Sequence, residues 1–261
     1  MIDAHVHLLH NPTGAYNFNL LESIVEAAIR SNVDEIYLLE HTHHFYEFKE
    51  VYKPISLYNA YQSDWIARVM GGTVDNYLEF IALAKKRSYP IKIKFGLEVC
   101  YIPQTAHQLC KILENHKFDF LTGSVHYIDN WGFDHKAEFW KDIAIDKAYV
   151  RYYQIMIELI RSGIFSGLAH PDSIKCFGNY PLFDLTEIYE EIASLLKTSD
   201  MFAEQSGGLF LNYGFPDLGM NRSMLGVFKA QGVKIMTASD AHKIEHVGAN
   251  IHELQRIIDM S

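Results

Sequence analysis

The sequence predicts an α/β fold, built from βα units around a parallel sheet. Three observations carry this. Short apolar or β-branched runs alternate with longer amphipathic stretches along the whole chain. Seven strand-like runs can be counted, at 2–7, 35–40, 93–99, 118–124, 164–169, 209–212 and 234–238, one fewer than the eight of an ordinary parallel barrel. Almost every run ends in, or just before, a histidine or an acid.

Taken in order, the first strand is IDAHVH. Asn19 followed by Glu22 then gives a helix-start signal ahead of Leu20, Leu21, Ile24, Val25, Ala28 and Ile29, which recur at helical spacing. The second strand leads into an aromatic-rich insertion near 43–72, which holds Phe45, Tyr46, Phe48, Tyr52, Tyr58, Tyr61 and Trp65. A lid over a site and packing against the barrel both suit such a segment. In IKIKFGLE, strict alternation puts Lys92 and Lys94 on the face of Glu98, so the third strand is expected to start near Lys94. Pro103 suits the first turn of a helix carrying Leu109, Ile112 and Leu113. Residues 146–161 read as a long amphipathic helix stopped at Gly163, and Asp184 with Glu187 repeats the helix-start signal before Ile188, Ile192, Leu195 and Leu196. With no repeat, low-complexity block or linker, one domain over 1–261 is expected.

Composition excludes several classes. The 261 residues are 49% hydrophobic, enough for one sizeable core. A net charge of −9 with scattered Lys and Arg offers no footprint for a nucleic-acid backbone. An acidic chain still accommodates a phosphorylated substrate, because bound divalent cations reverse the local sign of a site. Cys100, Cys110 and Cys176 form an odd, widely spaced set that fits reduced thiols. No apolar run approaches the ~20 residues of a membrane span, and a strand-like segment begins at Ile2. The expected location is the cytoplasm.

The strand ends carry the chemistry. His5 and His7, two residues apart on a strand, share one face and can hold a single ion. Glu40 and His41 close the second strand, Glu98 the third, His126 follows the fourth, His170 the fifth, and Asp240 and His242 the last. In a parallel barrel all strand C-termini meet at one end, so these distant positions converge on one pocket. Six such histidines with Glu98 and Asp240 exceed the four ligands of a tetrahedral zinc, which points to two or three ions. Imidazole and carboxylate donors without cysteine suit Zn, Fe or Mn.

At these residues the chain resembles the PHP (polymerase and histidinol phosphatase) family, in its monofunctional histidinol-phosphatase branch. The matching blocks are DAHVH, LLEHTHH, KFGLEVCY, LTGSVHYID, LAHPDSIKCFG and TASDAH, in that order over nearly the whole chain. The resemblance implies a distorted (β/α)7 barrel, TIM-like, with a trinuclear centre. A first ion is implied at His5, His7, Glu98 and Asp240, with Glu98 bridging to a second ion on His126 and His170. A third would use His41 and His242. Many relatives supply a further histidine to that third ion; at this spacing the chain has 11–14, and His10 or Glu40 is the replacement considered. The implied activity is hydrolysis of L-histidinol phosphate in histidine biosynthesis by attack of metal-bound hydroxide. Asp240 is assigned to orienting the nucleophile, and His242 or another strand-end histidine to proton transfer. The amidohydrolase barrels also begin with H-x-H, but they commonly place a carboxylated Lys on strand four, where this chain has Ser124-Val125-His126.

For the substrate, Arg222 is expected to clamp phosphate from a helix start, with Lys175 a weaker candidate. His43 and the aromatic insertion are candidates for the organic half. The expected partner is a small-molecule phosphoester. A phosphatase or phosphodiesterase acting on another phosphoester is the alternative within the family, and a non-catalytic module acting through a partner is the alternative outside enzymology.

Overall fold

The computed structural model describes residues 1–8 and 16–261, so His10 and residues 11–14 lie outside the described residues. Among those described, seven parallel strands follow one another around a barrel: β1 (Ile2–His7), β2 (Glu35–His41), β3 (Lys92–Cys100), β4 (Phe120–Ser124), β5 (Gly167–Leu168), β6 (Phe202–Ser206) and β7 (Ile235–Ala238). The ring closes where Val6 bridges Ala241 in parallel, with His7 N donating to Ala241 O at 3.0 Å and Asp240 N to His5 O at 2.9 Å. The helices are α1 (Phe18–Arg30), α2 (Lys53–Ser56), α3 (Ala60–Val69), α4 (Val74–Ala84), α5 (Ala106–Glu114), α6 (Ile145–Arg161), α7 (Thr186–Thr198), α8 (Gly208–Tyr213), α9 (Arg222–Ala230) and α10 (Ile251–Met260). None is long and apolar enough to cross a membrane.

The apolar periodicity of the helices becomes their buried face. α6 buries Tyr149, Tyr152, Tyr153, Ile155, Met156, Leu159 and Ile160, at about 1.5–3 kcal/mol for each fully covered large side chain, and the chain then turns at left-handed Gly163. α1 starts earlier than expected: the cap is Asn17, whose side chain accepts from Leu20 N at 2.8 Å, leaving Asn19 inside the first turn. At α7, Leu185 occupies the cap position, while Asp184 Oδ1 accepts from Thr186 N at 3.0 Å. The aromatic insertion is tied at its base, Gly72 N donating to His44 O at 2.9 Å, and it folds Phe45, Phe48, Tyr52 and Ile55 into the main core.

Two strand expectations are corrected. The sixth strand is not 209–212 but Phe202–Ser206; the short apolar run LFLN follows two glycines and coils into α8, which ends at left-handed Gly214. FAEQS escapes a hydrophobic reading because its central Glu204 points at polar partners. β3 also begins at Lys92 rather than near Lys94, since Lys94 remains partly exposed, donating to Tyr37 Oη at 2.7 Å and pairing with Glu35 at 3.3 Å.

Within the barrel, Ala4, Tyr37, Leu39, Phe120, Phe202, Met236 and Ala238 form a small apolar cluster. Period-two alternation puts His41 after Leu39, Glu204 after Phe202 and Asp240 after Ala238 on the same strand faces. An apolar plug thus lies beneath a polar upper layer. Gly96 belongs to this arrangement: a Cβ there would meet the Phe120 ring at 2.7 Å.

Candidate metal centre

Glu98, almost fully buried near the end of β3, stands at the middle of the upper layer. Its two oxygens face different neighbours. Oε1 lies 2.8 Å from His126 Nε2 and 3.1 Å from His170 Nε2. Oε2 lies 2.8 Å from His41 Nδ1, 3.3 Å from His5 Nε2 and 3.5 Å from His7 Nε2. Asp240 Oδ1 completes the ring at 3.6 Å from His5 Nε2 and 3.5 Å from His7 Nε2.

Among the described residues, three sets of side chains can each converge on one ion: His5, His7 and Asp240; His5, Glu98 and His170; and His7, His41 and His242. These sets hold seven of the strand-end residues, His126 reaches Glu98 Oε1, and His7 joins His41 and His242. Glu40 lines the same cavity, but its carboxylate is directed to His44 Nδ1 at 2.9 Å.

The donor chemistry fits divalent metal. His5 Nε2 faces His7 Nε2 at 3.1 Å, and His41 Nε2 faces His242 Nε2 at 3.3 Å. Several of these rings have their other nitrogen committed. His5 Nδ1 sits 3.0 and 3.1 Å from the two Glu204 oxygens, His126 Nδ1 lies 2.7 Å from Asp134 Oδ2, and His242 Nδ1 lies 3.1 Å from Asp240 O. Each acceptor calls for Nδ1–H, which leaves Nε2 as a lone pair aimed at the centre. Facing lone pairs repel unless a proton or a cation lies between them.

The electrostatics agree. Burial alone would raise the Glu98 carboxyl, but His41 and the hydrogen bonds from His126, His170 and His41 hold it well below the usual range. Burial opposes protonation of His5, yet Glu204 and Asp240 keep it well above its ordinary value, and Asp134 and Glu98 do the same for His126. His7 is pushed well down by burial and by His242, His41 and His5, and His41 falls to about 4, chiefly by burial.

Asp240 itself adopts a left-handed backbone, φ 55°, uncommon outside glycine and asparagine. Asn212 Nδ2 on α8 donates to its carbonyl at 3.1 Å. Gly208 is required beside it, because any Cβ there would collide with the Asp240 carboxylate.

The centre opens into a cavity of about 660 Å³. His43 lines it, its ring stacked on His41 at 4.4 Å and touching Trp65 at 4.8 Å. Trp65 meets His135 edge-on at 4.7 Å, and Tyr61 and Tyr127 complete this wall. The two expected phosphate clamps are not brought here. Arg222 is exposed at the first turn of α9, and Lys175 is buried against Asp172 at 2.6 Å while donating to Gly219 O at 3.0 Å. Among the described residues, the cavity lining contains no Lys or Arg.

Sequence reasoning missed Glu204, Asp134, Asn212 and His135. Glu204 was hidden by the displaced sixth strand; the turn at left-handed Asp200 after α7 is the signal that marks its true start. Asp134 and His135 sit beyond a hairpin formed by Tyr127–Ile128 and Trp131–Gly132, whose Asp129-Asn130 turn is legible as a turn but gives no hint of what it carries.

Comparisons with known proteins agree with this geometry. Over 184 residues the chain is 28% identical to a protein of Deinococcus radiodurans described as a probable histidinol-phosphatase, a stretch that is 65% of each chain. The match therefore spans about two thirds of that relative. A histidinol phosphate phosphatase of Lactococcus lactis, solved with zinc, L-histidinol and phosphate, superposes with a TM-score of 0.73 at 20% identity, over 99% of this chain and 92% of that one. A putative histidinol phosphatase of Listeria monocytogenes superposes at 0.79 and 17% identity, over 97% and 99%. At these identities the likeness establishes the shared barrel. The PHP domain family model matches residues 3–206, taking in six of the seven strands and most of the metal-capable residues, and the chain belongs to the PHP domain family.

Proposed function

We propose that this protein is a metal-dependent phosphomonoesterase that hydrolyses L-histidinol phosphate to L-histidinol and phosphate. One observation carries the reading above the others: Glu98 presents one oxygen to His126 and His170 and the other to His5, His7 and His41, so that one carboxylate would serve the ions held on either side. Divalent ions, two or three of Zn, Fe or Mn, would be held by His5, His7, His41, Glu98, His126, His170, Asp240 and His242, and would supply Lewis acidity toward phosphate and acidify water near neutral pH.

The chain's own residues do the rest. Asp240, 9% exposed at the cavity floor, can accept a hydrogen bond from the attacking water and orient it. His242 is the most exposed of the strand-end imidazoles, and a role in passing a proton to the leaving alkoxide would require its Nε2 to stay off the metal, the alternative to holding an ion with His7 and His41. With Arg222 and Lys175 directed elsewhere, binding of the phosphate falls to the metal-bearing floor. Tyr61, Trp65, His43 and His135 present flat rings to the organic half, and burial holds His43 well below its ordinary value and lowers His135, so both offer neutral imidazole. The zinc, L-histidinol and phosphate bound by the Lactococcus protein, and the description of the Deinococcus relative, support this substrate. A cytoplasmic location accompanies the proposal.

The test is chelation, metal restoration and assay against a panel of phosphomonoesters. We expect activity to vanish on chelation, to return with divalent metal, and to favour L-histidinol phosphate. Full activity without metal would overturn the mechanism, and preference for another ester the substrate.

A further inference from the structure

β1 differs from its neighbours in one respect. From Ile2 to His7 it advances five residues while β2 advances four, from Glu35 to Leu39, so an extra residue sits between Asp3 and Val6. Without that bulge, alternation would put Ala4 and His5 on opposite faces. With it, Ala4 joins the apolar plug and both His5 and His7 reach the metal centre. Asp3 stands at the bulge and is fully buried. Its carboxylate accepts from Ser239 N at 2.8 Å, Ser239 Oγ at 2.6 Å and Gly248 N at 2.9 Å, with His5 N at 3.4 Å. Ser239 immediately precedes Asp240, and the segment from Ser239 to Gly248 contains His242.

We propose that Asp3 is the positioning residue of the β1–β7 side of the centre: its carboxylate fixes the bulge that aims His5 and His7 and, through Ser239 and Gly248, the segment that presents Asp240 and His242. The inference rests on the metal reading of the site. Two carboxylate oxygens serve three strong donors here, whereas an asparagine offers one oxygen and turns an NH2 toward the others. The latch spans a seam whose backbone pairing is the isolated Val6–Ala241 bridge, so a side chain holds what a longer ladder holds elsewhere in the barrel. None of its hydrogen bonds reaches Glu98, His126 or His170.

The experiment compares wild type, Ser239→Ala, Ser239→Thr and Asp3→Asn after loading with zinc. Ions retained per chain are measured by elemental analysis against increasing chelator, alongside the melting temperature of each metal-free form. We expect Ser239→Ala to release the seam-side zinc at about ten-fold lower chelator while the ion on Glu98, His126 and His170 follows wild type. Ser239→Thr, which keeps the hydroxyl, restores retention, and Asp3→Asn, if it folds, loses more than Ser239→Ala. The proposal is overturned if all ions leave together, if retention is unchanged in Ser239→Ala, or if losses only track melting of the metal-free fold. A wild-type chain that retains no zinc overturns the metal reading, and this inference with it.

Discussion

His5 and His7 meet Asp240 and His242 across the β1–β7 seam, whereas Glu98, His126 and His170 rise from the ends of the adjacent strands β3, β4 and β5. The β3 side inherits its geometry from parallel ladders: β3 pairs in continuous register with β2 over seven positions, Glu35–Lys92 to His41–Glu98, and with β4 to Cys100–Ser124. The seam side depends on a bulge, a left-handed aspartate and side-chain hydrogen bonds. Glu98 stands between two halves, one rising from strands in continuous register and the other held across a seam by a bulge and side-chain hydrogen bonds.

The largest effect is expected where the halves join. Glu98→Gln removes the shared charge, and phosphatase activity should fall by at least about 10³-fold with loss of ions from both sides, read by steady-state assay and elemental analysis. Next come the two carboxylates behind the ligands. Glu204→Gln, behind His5 Nδ1 and the His170 backbone N, should weaken metal binding on both sides about 10–100-fold, whereas Asp134→Asn, behind His126 alone, should weaken only the side of Glu98, His126 and His170 by a similar factor. Stepwise metal titration separates them; identical release profiles in the two variants would erase the distinction between halves.

A pH experiment probes both sides together. In the metal-free chain His5 and His126 are held above their ordinary value near 6.5 by Glu204 and Asp240 and by Asp134 and Glu98, against the effect of burial. Their contribution to folding is therefore fully present below about pH 6.5 and lost as pH rises through the folded-state values. Metal displaces these protons, so zinc affinity should increase with pH and loading at pH 7 should release about one to two protons, measured by calorimetry in buffers of different ionisation heat. Loading without proton release would contradict protonation of His5 and His126 in the metal-free chain. The smallest effect is expected at the wall. Trp65→Leu should raise KM for L-histidinol phosphate about ten-fold with little change in kcat, and should leave glycerol phosphate hydrolysis nearly unaltered.

The same division explains what the sequence discloses. His5, His7, His41 and Glu98 are legible from the strands that carry them, and Asp240 from the convergence of strand ends. Glu204 was not, because a strand whose middle residue serves a buried imidazole does not look apolar. Asp134 and His135 depend on how a hairpin folds back, and Arg222 and Lys175 on where helix starts and loops face, neither of which is encoded in a local period. The β1 bulge hides inside an apparently regular IDAHVH: its extra residue shows only in the pairing with β2.

The central claim, that Glu98 joins two separately supported halves, is tested most directly by anomalous diffraction from crystals of the zinc-loaded protein. The account predicts one ion among His5, His7 and Asp240 and another on His126 and His170, with Glu98 oxygens reaching both. Ions that leave Glu98 on one side only, or that lie away from these residues, would contradict it.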